Sequence, residues 1–121
     1  MKTITRKDVK QILQSWNQGK VSAEAVQNWA CERYATEKYD CADWESEDGV
    51  SVTNEVLAHL DMLDMNLLVQ DDIPAYLEFL SAPVGDFDSG FATLEKYLAS
   101  VDLEKRKRQL KEVFPYAPFC K

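Results

Sequence analysis

LQSWNQGKVSAEAVQNWACERY, residues 13–34, decides how this chain folds. Leu13 and Trp16 close a stripe that begins at Val9 and Ile12, the spacing of one face of a helix that Thr5 can cap. Gly19 then supplies a residue at ease in the left-handed region, where a helix ends and the chain turns. Ser22 is placed to cap a second helix, with Val21 before the cap and Val26 inside the first turns as a hydrophobic staple. Val26, Trp29, Ala30, Arg33 and Tyr34 continue one face. A short link between two such helices predicts an antiparallel hairpin, with Trp16 and Trp29 along its seam.

Working outward, the helical spacing recurs. Ser51 or Thr53 opens a third helix with Val52, Val56, Leu60, Leu63 and Leu67 on one side and Asp61 and Asp64 on the other. Asp71 or Asp72 ahead of Pro74 signals a fourth helix, carrying Ile73, Leu77 and Leu80 and stopped by Pro83 and Gly85. A fifth starts near Asp88 and aligns Phe91, Leu94, Leu98 and Val101. Asp102 caps a sixth with Leu103, Leu110, Val113 and Phe114, before Pro115 ends it. Residues 37–50 are polar, acidic and end in Asp-Gly, the pattern of a loop, and the tail 115–121 reads as extended chain over the core. No alternating run promises a strand, Leu67-Leu68-Val69 being the nearest to one. The expectation is an all-α, single-domain bundle of five to six short helices over residues 1–121, opening with the helical hairpin.

Composition narrows the function classes. With 121 residues, 45% hydrophobic and 11% aromatic, the chain has the make-up of one folded domain. Its apolar runs are too short to span a bilayer, and the charged start MKTITRKDVK lacks the apolar centre of a signal peptide. Cys31, Cys41 and Cys120 are odd in number and irregular in spacing, which predicts free thiols and a cytoplasmic location.

The charge pattern is the strongest functional signal. From Tyr39 to Glu95, 57 positions hold fourteen Asp or Glu residues and no Lys or Arg; all fourteen basic residues lie outside that window. The net charge of −7 is the sum of a strongly negative middle and two mildly positive ends. Such segregation makes a directional field that attracts cationic partners and repels phosphate, so no nucleic acid partner is expected. The basic run Lys105-Arg106-Lys107-Arg108, with Lys111 beyond, reads as the solvent face of the sixth helix, folded back against the acidic middle.

No chemistry-bearing constellation in the sequence is complete. Asp43 to Gly49 alternates oxygen ligands as a calcium loop does, but Gly49 falls one position late and Asn54 stands where a bidentate Glu is needed. One histidine and no Cys-x-x-Cys leave zinc without a ligand set. His59, with Glu55 one turn earlier, is the only conventional base near neutrality and reads as an imidazole bonded to a helix neighbour. The four glycines are isolated, so there is no phosphate-cradling loop. No catalytic residue, metal site or cofactor is expected. Aromatic side chains among the acids suit a protein interface, in which carboxylates meet Lys or Arg and rings provide buried anchors. The expected contact residues are Tyr39, Asp40, Asp43, Trp44, Glu45, Glu47 and Asp48, with Asp71 and Asp72 as a second acidic lip.

In its small size, helical reading, acidic centre and opening hairpin from Leu13 to Tyr34, the chain resembles small bacterial immunity-type proteins. These include helical inhibitors of colicin-like nuclease toxins and the immunity proteins of polymorphic toxin systems. The resemblance implies a non-enzymatic inhibitor whose acidic surface covers the cationic site of a nuclease toxin. Two other readings remain from the residues themselves: a structural or oligomeric helical module whose charge serves solubility, and a small metal-dependent enzyme built on His59 or the carboxylates.

Overall fold

A computed structural model describes residues 1–45 and 49–121. Among these, the chain runs β1 (Lys2–Ile4), α1 (Arg6–Asn17), α2 (Ala23–Arg33), β2 (Tyr39–Cys41), α3 (Val52–Asp61), α4 (Ile73–Leu80), α5 (Phe87–Ala99) and α6 (Leu103–Leu110). Short 3-10 turns occupy Gln70–Asp72 and Ala117–Phe119. No helix is long and apolar enough to cross a membrane among the described residues.

The opening hairpin forms as its caps dictate. Thr5 and Asp8 close a reciprocal capping box at the start of α1, and Ser22 Oγ accepts the Ala25 amide at the start of α2. Gly19 sits between them at φ +74°. Val9, Leu13 and Trp16 turn into the core from α1, Val26 and Ala30 from α2, while Trp29 is half-buried. α3 lies against α2, starts on Ser51, and buries Val52, Val56, Leu57 and Leu60.

The molecule is mainly helical but not all-α. β1 and β2 form a two-stranded parallel sheet in the register Lys2↔Tyr39, Thr3↔Asp40, Ile4↔Cys41, and the α1–α2 hairpin is the crossover between them. Three residues per strand are too few for alternation to register in the sequence, so pairing here is a product of tertiary structure. Ile4 and Cys41 face the core, whereas Thr3 and Asp40 stand on the outward face. The segment 37–50 thus contains a strand, and Glu45 makes a further antiparallel bridge to Val50. Leu67-Leu68-Val69 forms no strand; Leu67 takes a left-handed φ of +53° in a turn.

Other boundaries also differ from expectation. α3 ends at Asp61, so Leu63 and Leu67 enter the core from the turns that follow it. α6 stops at Leu110 and buries none of its residues, leaving Val113 and Phe114 exposed. The tail does not simply lie extended. Tyr116 is buried and donates its hydroxyl to the Leu68 carbonyl, and Ala117–Phe119 curls into a 3-10 turn.

Candidate acidic interface

Two of the carboxylates expected at a partner surface are instead internal. Asp43 is 8% exposed and accepts from the Arg6 Nε at 2.8 Å, the Ser51 hydroxyl and the Thr53 amide at 3.2 Å. Burial pushes its carboxyl up, but the Ser51, Arg6 and Thr53 hydrogen bonds outweigh burial and hold it below the usual carboxylate value. The same Arg6 guanidinium donates to the carbonyls of Leu80 and Ala82, so it fastens the loop after β2 to the end of α4.

Asp72 is the second. It is 1% exposed, and its two oxygens accept from Arg106 Nη1 and Nη2, each at 2.7 Å. The Tyr97 hydroxyl at 2.6 Å and the Val69 amide at 2.9 Å complete its set. Hydrogen bonding to Asp72 raises the Arg106 pKa further above its already high value. The basic run on α6 is therefore only partly a solvent face: Arg106 turns inward against the acidic middle, while Lys105, Arg108 and Lys111 stay exposed. Neither Asp43 nor Asp72 is available to a partner, because each already neutralises an arginine from one end of the chain.

Tyr39 is also committed within the fold. The Arg33 guanidinium lies 5.1 Å and the Lys2 ammonium 5.9 Å from its ring centre, and Arg33 also covers Trp29 at 4.4 Å. Its half-buried ring belongs to a cationic, aromatic corner at the other end of β2 from the acidic loop. Asp71 is exposed beside the buried Asp72. Glu47 and Asp48 lie outside the described residues.

What remains forms a surface around the loop 40–45. Asp40, on the outward face of β2, accepts the Trp44 indole N–H at 2.7 Å and the Cys41 amide at 3.0 Å. That bond fixes the indole while leaving Trp44 42% exposed. Glu45 Oε1 accepts the amide of Phe87 at 3.4 Å, at the N-terminal end of α5, where the helix dipole favours a carboxylate. Its Oε2 is buried with no hydrogen-bond partner among the described residues. Glu45 thereby brings the loop beside the α4–α5 turn, which contributes exposed Glu78, Asp86 and Asp88 and the exposed apolar Val84. Glu78 and Asp86 line one shallow cavity there. These three carboxylates were visible in the charge count, but nothing local linked them to residues 40–45; the Arg6 and Glu45 contacts do so across about forty positions.

His59 does not bond to its helix neighbour. Its Nδ1 meets the Tyr76 hydroxyl of α4 at 2.8 Å, while Nε2 is 4.0 Å from Glu55, beyond hydrogen-bond reach. No group of three His, Cys, Asp or Glu side chains suited to a metal ion occurs among the described residues. Comparison of the chain with protein-family models, curated proteins and solved structures found no significant match.

Proposed function

We propose that this protein is a non-enzymatic binding module. Its partner is a basic protein, received on the surface made by Asp40, Trp44, Glu45 and the α4–α5 residues Glu78, Asp86 and Asp88. The observation that carries this reading is Trp44: a large ring held in place by the Asp40 carboxylate and left open to solvent. An indole in that setting has the character of an interface anchor, since rigid aromatic residues lose little entropy on binding. Arg6, which reaches this loop, is occupied by Asp43 and two carbonyls, and the segment 39–95 itself contains no Lys or Arg. The exposed acids therefore keep their field, which favours a partner rich in Lys and Arg.

The resemblance noted for residues 13–34 supplies the partner class: the cationic site of a nuclease toxin, where carboxylates take the places of substrate phosphates. An inhibitor of that kind needs no catalytic group of its own.

The test is capture from host lysate with the wild-type chain, and in parallel with Trp44→Ala and with the combined variant Asp40→Asn, Glu78→Gln, Asp86→Asn, Asp88→Asn. The captured protein is expected to be basic, and its affinity to fall at least ~10-fold between low and physiological salt. Trp44→Ala is expected to cost about 2 kcal/mol of binding, roughly 30-fold, at unchanged folding stability. A partner indifferent both to salt and to the combined variant would overturn the proposal.

A structural or oligomeric module is the rival reading, and one observation favours it. α6 buries no residue and, with the tail, exposes Leu103, Val113 and Phe114. Sedimentation equilibrium separates the two, because a self-associating module is a dimer or larger without any partner.

A further inference from the structure

On the side of the molecule occupied by α6, a cavity of about 300 Å³ opens between α3, α4, α5 and α6. His59, Tyr76, Asn66 and Arg106 supply its polar lining, and Leu68 and Leu98 are among its apolar walls. It shares no residue with the acidic surface around Trp44 and does not depend on that reading.

The hydrogen-bond accounting of the polar wall leaves unused groups. Tyr76 is fully buried and its hydroxyl has one partner among the described residues, His59 Nδ1. In the tautomer that lets the Tyr76 O–H donate to this ring, Nδ1 accepts and the neutral imidazole carries its proton on Nε2. Burial holds His59 below its usual pKa, against the opposing pull of Glu55 and Glu95, so the neutral form prevails at pH 7. Among the described residues the Nε2–H has no protein acceptor, Glu55 being too distant. The Asn66 amide has no side-chain hydrogen bond among the described residues, although its backbone is fixed by Met62.

Arg106, by contrast, commits three of its five N–H donors within the fold. Its charge is matched by Asp72, and Nη1 also donates to the Leu67 carbonyl at 3.1 Å. That bond holds the one residue between Asn66 and Leu68, Leu67, which keeps a left-handed φ of +53° although it is not glycine. Strained backbone of this sort persists where surrounding contacts over-determine it, and here it sets a free amide and an apolar side chain side by side on the cavity wall.

The combination defines a ligand class. No unmatched charge lines the cavity, so an ion would lose its hydration without gaining a counter-charge. The volume equals roughly ten water molecules, enough for a compound of one or two rings. We propose that this cavity binds a small neutral ring compound bearing a hydroxyl or amide group, whose polar end is held by His59 and Asn66 and whose ring lies against Leu68 and Leu98.

The experiment titrates the full chain with phenol and with 2-pyridone, using toluene as an apolar control of matching shape. The His59 ring protons and the Leu68 and Leu98 methyl groups are followed by NMR. Both polar probes are expected to give saturable shifts at these three residues with millimolar dissociation constants, and toluene to bind at least ~10-fold more weakly. Asn66→Ala, at an exposed position, is expected to weaken both polar probes by ~5-fold or more and to leave toluene unchanged. Leu98→Trp, which fills the space, removes the saturable shift at His59. Should that variant fail to fold, Asn66→Ala still decides the matter. The proposal is overturned if neither polar probe saturates, if toluene binds as tightly as phenol, or if Asn66→Ala changes nothing.

Discussion

Asp72→Ala is the most demanding perturbation of this fold. The carboxylate accepts four hydrogen bonds, two from Arg106 at 2.7 Å, one from Tyr97 and one from the Val69 amide. Its removal leaves the Arg106 guanidinium, whose side chain is only 12% exposed, with an unbalanced charge. Breaking a buried pair from one side costs about 3–5 kcal/mol, several times the 0–1 kcal/mol of a surface pair. Set against a total stability of about 5–15 kcal/mol for a domain, that is a large fraction. With a urea m-value near 2 kcal/mol/M, the unfolding midpoint should fall by about 2 M.

The loss should also be local before it is global. α6 buries no residue, so Arg106, with half-buried Leu110, is its principal hold on the rest of the molecule. Hydrogen exchange in Asp72→Ala should therefore lose protection across 103–110 ahead of α3 and α4. A double-mutant cycle with Arg106→Ala isolates the pair, and a coupling above about 2 kcal/mol that survives 1 M salt is expected, because buried pairs are poorly screened. Coupling below about 1 kcal/mol, or protection lost uniformly, would refute the idea that the basic C-terminal run is anchored through one inward arginine.

Other perturbations bear on separate contacts. Gly90→Ala gains about 1 kcal/mol of helix propensity, but its Cβ would meet Ala82 Cβ at 3.0 Å and Phe79 Cδ1 at 3.1 Å. Phe79 is itself held by Phe87 and Phe91, so overpacking should win and thermal unfolding should come a few degrees earlier; a raised midpoint would show that the ring yields. His59 titrates below its unfolded value of about 6.5, so the folded state binds fewer protons than the unfolded chain just below that pH. Its contribution is complete above about pH 6.5 and fades as pH falls through the folded-state value, and His59→Gln should flatten chemical-denaturation stability just below that pH. Cys31 is exposed, yet partial burial, a hydrogen bond to Asp61 and nearby carboxylates push its thiol up to about 11. Its alkylation by iodoacetamide at neutral pH should run about 100-fold slower than that of a free thiol, and a rate equal to free cysteine would contradict the geometry around Asp61.

What the sequence disclosed was local. Thr5, Ser22 and Asp102 each accept a first-turn amide as their positions before apolar stripes foretold, and Ser51 takes that place ahead of its alternative Thr53, because capping is decided within three residues. The sheet escaped because KTI and YDC carry no periodic signal and pair across an entire helical hairpin. The end of α3 differs from its expected place for a related reason. Leu63 and Leu67 keep helical spacing and are buried, but they reach the core from turns, so periodicity reported burial rather than helix. Among the candidate contact residues, Asp43 and Asp72 look like every other acid in the window. Only the positions of Arg6 and Arg106, both distant in sequence, distinguish a buried anchor from an exposed carboxylate.

That distinction gives the charge segregation two separate physical meanings. Each end of the chain spends one arginine on one buried carboxylate of the middle: Arg6 on Asp43 beside the end of α4, and Arg106 on Asp72 at its start. These two pairs clasp the ends of the chain to opposite ends of α4, and their energy depends on burial, so salt should scarcely alter it. The exposed acids, among them Asp40, Glu78, Asp86 and Asp88, have no cation within their own segment and act through solvent. Their contribution belongs to association and must fade as ions are added. A single salt series therefore separates the two roles in one sample. Unfolding midpoints of the wild type and of Asp72→Ala should keep their difference across the series, while partner association weakens steadily. If the stability difference collapses with salt at the same rate as binding, the clasps are surface pairs and the segregated charge has only one role.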